Sequence, residues 1–402
     1  MTKNMKILLV NKFWYQRGGA EKMVLLTKEL LENAGHQVEI FGMNHPQNLF
    51  SNKYFVDFVD YKKIGFLGKI KFGARTIFNR QAKNNMAKLL TDFKPDVVHF
   101  HNIYHQLSCS VIEAVAEKKI KSVMTLHDYK FISPNYNLYH HGKIAEEGIT
   151  SKYYKCFLKN CMESFSDSLL ATLEAYFVDS KGYKSMINKY LSPSKFLRDK
   201  FINAGFEEKN ILYLPNSIAE SNFKMNAGDL NYVAYIGRLS SEKGLKYLLI
   251  AVAKLPNIRF VIVGDGPERA ELESIKQKNN LDNLEFVGQK NGAELESLIA
   301  GARLLVLPSV WYENAPLSIL EAKAHGKIMV ASDIGGISEI LPKELLVKPG
   351  DAVALANLIE EWFDKDEIER QSMSERLFGQ VSAENRPEIY LQKLLKVYSE
   401  NE

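Results

Sequence analysis

Short apolar runs of strand length alternate with amphipathic runs of helix length along almost the whole chain, and no other feature limits the fold as much. Residues 6–11 read as a strand, 21–34 as an amphipathic helix stopped by Gly35, and 37–42 as a strand again. The same beat continues through strand-like runs at 96–101, 121–126 and 190–192. Strands separated by a helix-length crossover pair in parallel, so the rhythm predicts an α/β fold whose parallel sheets are covered by helices on both faces.

The rhythm restarts after Asn216, with strand-like runs at 232–237, 259–264, 284–287, 304–307 and 328–331. A chain of 402 residues is also too long for one comfortable core. Two Rossmann-like domains in tandem are therefore expected: 1–214, a turn-rich charged linker at 215–228, and 229–384. A last helix lies within 385–402. Ligands of open parallel sheets bind beyond the carboxyl ends of the strands, which directs attention to those loops and to the cleft expected between the two domains.

Composition excludes other classes. Hydrophobic residues at 46% and charged residues at 25% are those of a soluble globular protein rather than a disordered or fibrous one. The longest apolar runs have strand length only, and residues 1–10 lack the apolar block of a signal peptide, which points to the cytoplasm. Three cysteines, Cys109, Cys156 and Cys161, fit a reducing compartment better than a disulfide framework. The C-x4-C spacing of the last two is loose for zinc.

The net charge of +4 is modest but unevenly placed. Between Tyr61 and Thr91 there is no Asp or Glu, while Lys62, Lys63, Lys69, Lys71, Arg75, Arg80, Lys83 and Lys88 are interleaved with Phe66, Leu67, Ile70, Phe72, Ile77 and Phe78. Such a segment suits an anionic membrane surface, and an ordinary solvated helix face is the alternative. No nucleic-acid motif accompanies it, and nucleic acid is not expected as a partner.

The strongest chemical signal runs from Val310 to Ala322, the sequence VWYENAPLSILEA. The strand-like run at 304–307 leads into a loop carrying Glu313, Asn314 and Ala315. Pro316 then opens a helix at the position where a missing N–H costs nothing. The free N–H groups of Leu317 and Ser318, at the positive end of the helix dipole, form a site for a diphosphate. With a nucleotide sugar there, Glu313 is expected beside the sugar, and Glu321, about a turn and a half along the helix, within reach of the ribose hydroxyls.

Embedded in strand, loop, proline and helix, the two glutamates resemble the E-x7-E signature of retaining glycosyltransferases of family four, which have the two-Rossmann GT-B fold. The resemblance covers nearly the whole chain. Gly18-Gly19-Ala20-Glu21 is similar to the family's glycine-rich loop near the donor diphosphate. Residues 96–102, Thr125-Leu126-His127-Asp128, Ser192-Pro193-Ser194, Pro215-Asn216-Ser217, Gly237-Arg238-Leu239 with Lys243-Gly244, and Gly264-Asp265-Gly266-Pro267 follow in the family's order. The helix expected at 387–398 resembles the one that crosses back to the N-terminal domain.

That resemblance implies transfer of a sugar from a nucleotide diphosphate, UDP before GDP, with retention of configuration. Separating a diphosphate from an oxocarbenium-like carbon requires positive charge at the leaving group, which Arg238 and Lys243 supply. Such fixed cations can replace a metal, and no cofactor is expected. Glu313 is expected to hold the donor sugar, and His127 to contact it from the N-terminal domain. The acceptor, a lipid-linked glycan presented at the inner face of the cytoplasmic membrane, is expected near Arg17, His101, Asn102 and Tyr104.

Other readings fit these residues less well. Asp364-Lys365-Asp366 has the form of a metal-binding D-x-D but follows Trp362 in a polar stretch rather than a strand, and reads as helix surface. His99, His101 and His105 lack a nearby carboxylate to complete a metal site. An epimerase of the same fold conflicts with the E-x7-E segment, and the chain is short for a phosphorylase. A non-catalytic sugar-nucleotide-binding module is expected to lose Glu313, Arg238 or Lys243, all of which are present.

Overall fold

Both expected sheets form, and every strand pair in them is parallel. The computed structural model describes residues 4–60, 63, 66–225 and 228–400. The described residues of Met1–His141, Ala145–Leu214 and Tyr390–Glu402 form one compact unit; those of Pro215–Ile389, with Gly142–Ile144, form a second. Among the described residues no helix is long and apolar enough to cross a membrane.

In the first unit six strands, β1 (Lys6–Val10), β2 (Gln37–Phe41), β3 (Val97–Phe100), β4 (Lys121–Thr125), β5 (Lys189–Ser192) and β6 (Ile211–Tyr213), lie in the order β6-β5-β4-β3-β1-β2. Ile7 pairs with Val38 on one side and Val97 on the other. Consecutive residues Ile7, Leu8, Leu9 and Val10 are all fully buried, as a strand covered on both faces requires. The chain reverses its direction of travel across the sheet between β1 and β3, and there the two following loops diverge to leave a crevice.

The second unit repeats the plan with β7 (Tyr232–Ile236), β8 (Arg259–Val263), β9 (Leu284–Gly288), β10 (Leu304–Leu307), β11 (Ile328–Ser332) and β12 (Leu346–Val347), in the order β9-β8-β7-β10-β11-β12. Its reversal falls between β7 and β10. The segment from Pro215 is packed against this unit. Ser217 Oγ donates to Asn385 O at 2.8 Å, and Ile218 is buried with Leu320, Ala324 and Val381.

Seven helices bear on function: α1 (Gly19–Asn33), α2 (Phe66–Ile77), α3 (Tyr154–Leu158), α4 (Phe165–Ser180), α5 (Leu317–Ala324), α6 (Glu367–Glu384) and α7 (Pro387–Ser399). The residues of α7 from Tyr390 onward belong to the first unit. Tyr390 shares a hydrogen bond with Thr27 of α1 at 3.0 Å, and Tyr398 one with His99 of β3 at 2.6 Å. Lys121 Nζ donates to the carbonyls of Val397 and Tyr398 at 2.8 and 3.1 Å, a cation at a helix C-terminus.

Two expectations from the sequence change here. Cys156 and Cys161 are joined in a disulfide, with Cα atoms 4.8 Å apart, and Cys109 alone is free and buried. The chain turns as α3 ends, with Cys161 N donating to Cys156 O at 2.9 Å, and this folds the C-x4-C segment back on itself. The basic segment is also less free than its composition implies. Lys63 pairs with Asp60, Lys83 with Glu113 and Glu117, and Arg75 donates to Asp57 O. Lys71 and Arg80 are exposed, while Tyr61, Lys62 and the side chain of Lys69 lie outside the described residues.

Candidate active site

The loops after β7 and β10 leave the second sheet on either side of its reversal, and their backbones interlock. Val310 N donates to Glu242 O at 2.9 Å, and Gly336 N, from the loop after β11, donates to Glu313 O at 2.7 Å. Two glycines allow this approach. Gly244 (φ +70°) and Gly335 (φ +62°) occupy the left-handed region, and a Cβ on either would overlap Pro308 O or Glu313 O respectively.

Within this clamp Glu313 is buried. Its Oε1 accepts from Lys243 Nζ at 2.6 Å and from Ser309 Oγ at 2.7 Å. Burial alone raises a carboxyl pKa, but the Lys243 charge and hydrogen bond, with Ser309 assisting, hold Glu313 below the ordinary value. The ammonium of Lys243 also lies 5.1 Å from the Trp311 ring centroid. Thus two residues 70 positions apart in sequence form one largely buried ion pair.

Arg238 contrasts with Lys243. Its backbone carbonyl is held by the Tyr235 hydroxyl at 2.8 Å, whereas its guanidinium is exposed and has no carboxylate partner among the described residues. A fixed backbone beneath an unneutralised guanidinium leaves a cation free for an anionic ligand at the end of β7.

Pro316 is the N-cap of α5, with φ −67° and ψ 120°, rather than its first helical residue as expected from sequence. The one-residue difference leaves Leu317 and Ser318 as the first N–H groups, which have no intrahelical acceptor. The preceding Ala315 carbonyl accepts from Asn216 Nδ2 at 3.0 Å, and Asn216 O accepts from Asn385 Nδ2 at 2.7 Å. Asn314 is half-buried in the same loop, and Glu321 is buried within α5. On that helix Lys323 reaches Ile340 O and Gln380 Oε1, so it fastens α5 rather than facing a ligand.

In the first unit, Gly18 is the N-cap of α1, with Gly19 its first residue and Glu21 buried in the first turn. Arg17 is exposed, its guanidinium 4.5 Å from the Phe13 ring centroid. Asn102 is half-buried, its N–H given to Asn11 Oδ1 at 3.0 Å. Tyr104, expected at the acceptor, is instead buried in a small internal cavity with Cys109, Lys130 and Glu174.

His101, also expected at the acceptor, is buried and bonded through Nδ1 to His127 Nε2 at 3.0 Å, with the rings stacked. Burial depresses the pKa of all three neighbouring histidines: His127 to about 4, His99 to about 3, and His101 well below normal. All are neutral near pH 7, so one ring nitrogen of the His101–His127 pair donates and the other accepts. His101 Nε2 is buried without a partner. An unpaired acceptor there costs less than an unpaired N–H, which assigns the proton to His101 Nδ1 and makes His127 Nε2 the acceptor.

Ser309, Asn216 and His101 are the supports that sequence reasoning left without these roles. Asn216 and His101 lie in quoted motifs and Ser309 directly precedes one, but only folding reveals what each touches. The expected donor residues Arg238, Lys243, Glu313, Asn314, Ala315, Pro316, Leu317 and Glu321 lie in the second unit, and Arg17, Gly18, Gly19, His101, Asn102, Tyr104 and His127 in the first. Asp364 and Asp366 flank the turn between two helices, where Asp366 caps α6 through Glu369 N.

Comparison with known proteins places this arrangement. Among solved structures, sucrose-phosphate synthase from Thermosynechococcus elongatus superposes with a TM-score of 0.72 over 98% of each chain at 19% identity. HepE of Anabaena, in complex with UDP and glucose, gives 0.67 over 99% of this chain and 100% of its own at 18% identity. These likenesses show the GT-B fold, an architecture of two Rossmann-like domains. An "uncharacterized 42.6 kDa protein in cps region" of Klebsiella pneumoniae is 25% identical over 352 residues, 84% of this chain and 87% of its own. The model of glycosyl transferases group 1 matches residues 217–378, around the Lys243–Glu313 pair. That of Glycosyltransferase Family 4 matches residues 17–221, from the loop before α1 through the histidine cluster. With both sheets, both loop clusters and most of its length accounted for, the chain belongs to glycosyltransferase family 4.

Proposed function

We propose that the protein transfers a sugar, with retention of anomeric configuration and without a catalytic metal, from a nucleotide diphosphate sugar to a lipid-linked glycan. The largely buried Lys243–Glu313 pair, together with the free N–H groups at the start of α5, carries this reading, because these groups supply the charges that a glycosyl phosphate needs. In this reading Arg238, Lys243 and the N–H groups of Leu317 and Ser318 meet the diphosphate. As the glycosidic bond breaks, negative charge grows on the leaving oxygen where these groups converge. Gly18 and Gly19, at the start of α1 in the first unit, offer their backbone to a phosphate.

Glu313, ionised at neutral pH, accepts hydrogen bonds from the sugar hydroxyls, and Glu321 from the ribose. His127, neutral, contacts the sugar, and the leaving phosphate takes the acceptor's proton on the same face. UDP is the favoured nucleotide, since HepE is described with UDP and glucose. A cps-region relative favours an acceptor used in surface glycan assembly. The protein then works at the cytoplasmic face of the membrane, held there in part by the basic residues of 61–91.

Incubation with a panel of labelled UDP- and GDP-sugars and lipid extracts tests this, with product anomers assigned by NMR. Transfer that persists in EDTA is expected, and Arg238→Ala is expected to lower turnover by about two orders of magnitude. Inverted product, strict dependence on added Mg2+ or Mn2+, or an Arg238→Ala variant of normal turnover overturns the corresponding part.

A further inference from the structure

Helix α4 holds its buried carboxylate Glu174 on Lys130 and its Asp179 on Lys184, and one of its sides, which is apolar, has no cover among the described residues. Ala171, Ala175 and Val178 face the interior of the first unit. Leu170 and Phe177 face α2 and its end, where Leu170 lies against Gly73 and the rings of Phe177 and Phe78 meet at 6.2 Å. Phe165, Leu169, Leu173 and Tyr176 remain exposed, the first by 64% and Leu173 by 50%. Their spacing puts them in one stripe.

Short helix α3 widens the stripe. Phe157 meets Phe165 edge-on at 6.3 Å, Leu158 is 68% exposed, and Tyr154 N donates to the Tyr176 hydroxyl at 3.3 Å. Seven of the 17 exposed large apolar residues among those described lie in 154–176. A contiguous exposed apolar patch of this kind marks an interaction surface.

The rim identifies what covers it. Lys152 and Lys159 stand exposed at the two ends of α3, Lys181 follows α4, and Lys71 stands exposed on α2. Against these cations are Glu163, already bonded to His141 N, and Asp167 in the first turn of α4. A second copy docking by two-fold symmetry sets this cationic rim against itself. An anionic surface satisfies both parts, with the apolar stripe at the acyl boundary, the tyrosines at headgroup level and the lysines on phosphates.

We propose that the α3–α4 face of the first unit is a bilayer-docking surface selective for anionic lipid. It rests on the membrane contact proposed above, and assigns the apolar share of that contact to 154–176 rather than to the basic segment 61–91.

The test is flotation of the full chain with phosphatidylcholine vesicles, with and without phosphatidylglycerol. Wild type is expected to bind the anionic vesicles. Leu169→Ser with Leu173→Ser is expected to weaken that binding by about a hundredfold, roughly tenfold per leucine. Lys152→Gln with Lys159→Gln is expected to weaken it by about thirtyfold, less at high salt. UDP affinity is expected to be unchanged in both, as a check of fold. A leucine variant that floats like wild type overturns the α3–α4 surface. Loss of flotation on changing Lys62, Lys63, Lys69 and Lys71 to Gln then leaves the basic-segment contact standing. Wild type that floats with neither vesicle overturns both, as does self-association abolished by the leucine changes in place of lipid binding.

Discussion

Replacing Lys243 by Met removes an ammonium 2.6 Å from Glu313 Oε1 and leaves that carboxylate buried with Ser309 as its remaining short contact. Breaking a buried ion pair from one side costs about 3–5 kcal/mol. Lys243 is 19% exposed and Glu313 7%, so water recovers part of this, and about 2 kcal/mol is expected at neutral pH. The pH dependence follows from the direction of the pKa. In wild type Glu313 titrates below its ordinary value, so its contribution is present above the unfolded pKa and lost as pH falls through the folded one. Without Lys243 burial dominates, the folded pKa lies above the unfolded value, and the penalty grows as pH rises between the two. The deficit of the variant relative to wild type is therefore small in mild acid and full above neutrality, changing by at most about 1.4 kcal/mol per pH unit. Urea unfolding of both proteins across that range measures it. Glu313→Gln added to the variant is expected to restore most of the stability, because the amide is neutral and still accepts from Ser309. Turnover is expected to fall by about two to three orders of magnitude in the single variant and not to return in the double. A pH-independent deficit, or no recovery from Glu313→Gln, refutes the coupling.

Three shorter tests address other parts of the site. Gly335→Ala is expected to destabilise the second unit by at least 1–2 kcal/mol, since its Cβ overlaps Glu313 O at positive φ; thermal unfolding measures this, and kcat is expected to drop as the carboxylate is displaced. His101→Phe keeps the ring but removes the donor to His127 Nε2, so kcat is expected to fall about tenfold with little change in donor KM; a change confined to KM refutes the positioning role. Glu321→Ala is expected to raise donor KM with kcat nearly constant, which steady-state kinetics with a UDP-sugar checks.

The alternation of apolar runs revealed both sheets, because strands buried on two faces leave continuous hydrophobic blocks that helices separate. The E-x7-E segment stood out for a similar reason: loop, cap and helix are consecutive in the chain. Contacts between distant positions were not legible. Nothing in the sequence aligns Lys243 with Glu313, since their meeting depends on β7 and β10 being neighbours across the reversal of the sheet. His101 and His127 meet because they follow the adjacent strands β3 and β4, and their mutual bond turns an expected acceptor contact into a buried support. The basic segment shows the same limit in its charge balance. Its lack of acidic residues was local, and Glu113 and Glu117, about thirty positions on, neutralise Lys83.

The anchoring of Tyr390 and Tyr398 in the first unit has a consequence for how the chain is made. The first unit's other strands and helices are complete by Leu214, yet its last segment begins 176 residues later, at Tyr390 within α7. At about 5–20 residues per second, a ribosome needs roughly 9–35 s to cover that distance. Throughout it the Thr27 hydroxyl and the imidazole of His99 lack the tyrosines that later meet them. The domain synthesised first is thus the last to be finished, and a nascent chain stalled between the two points holds an open flank on which chaperones can act.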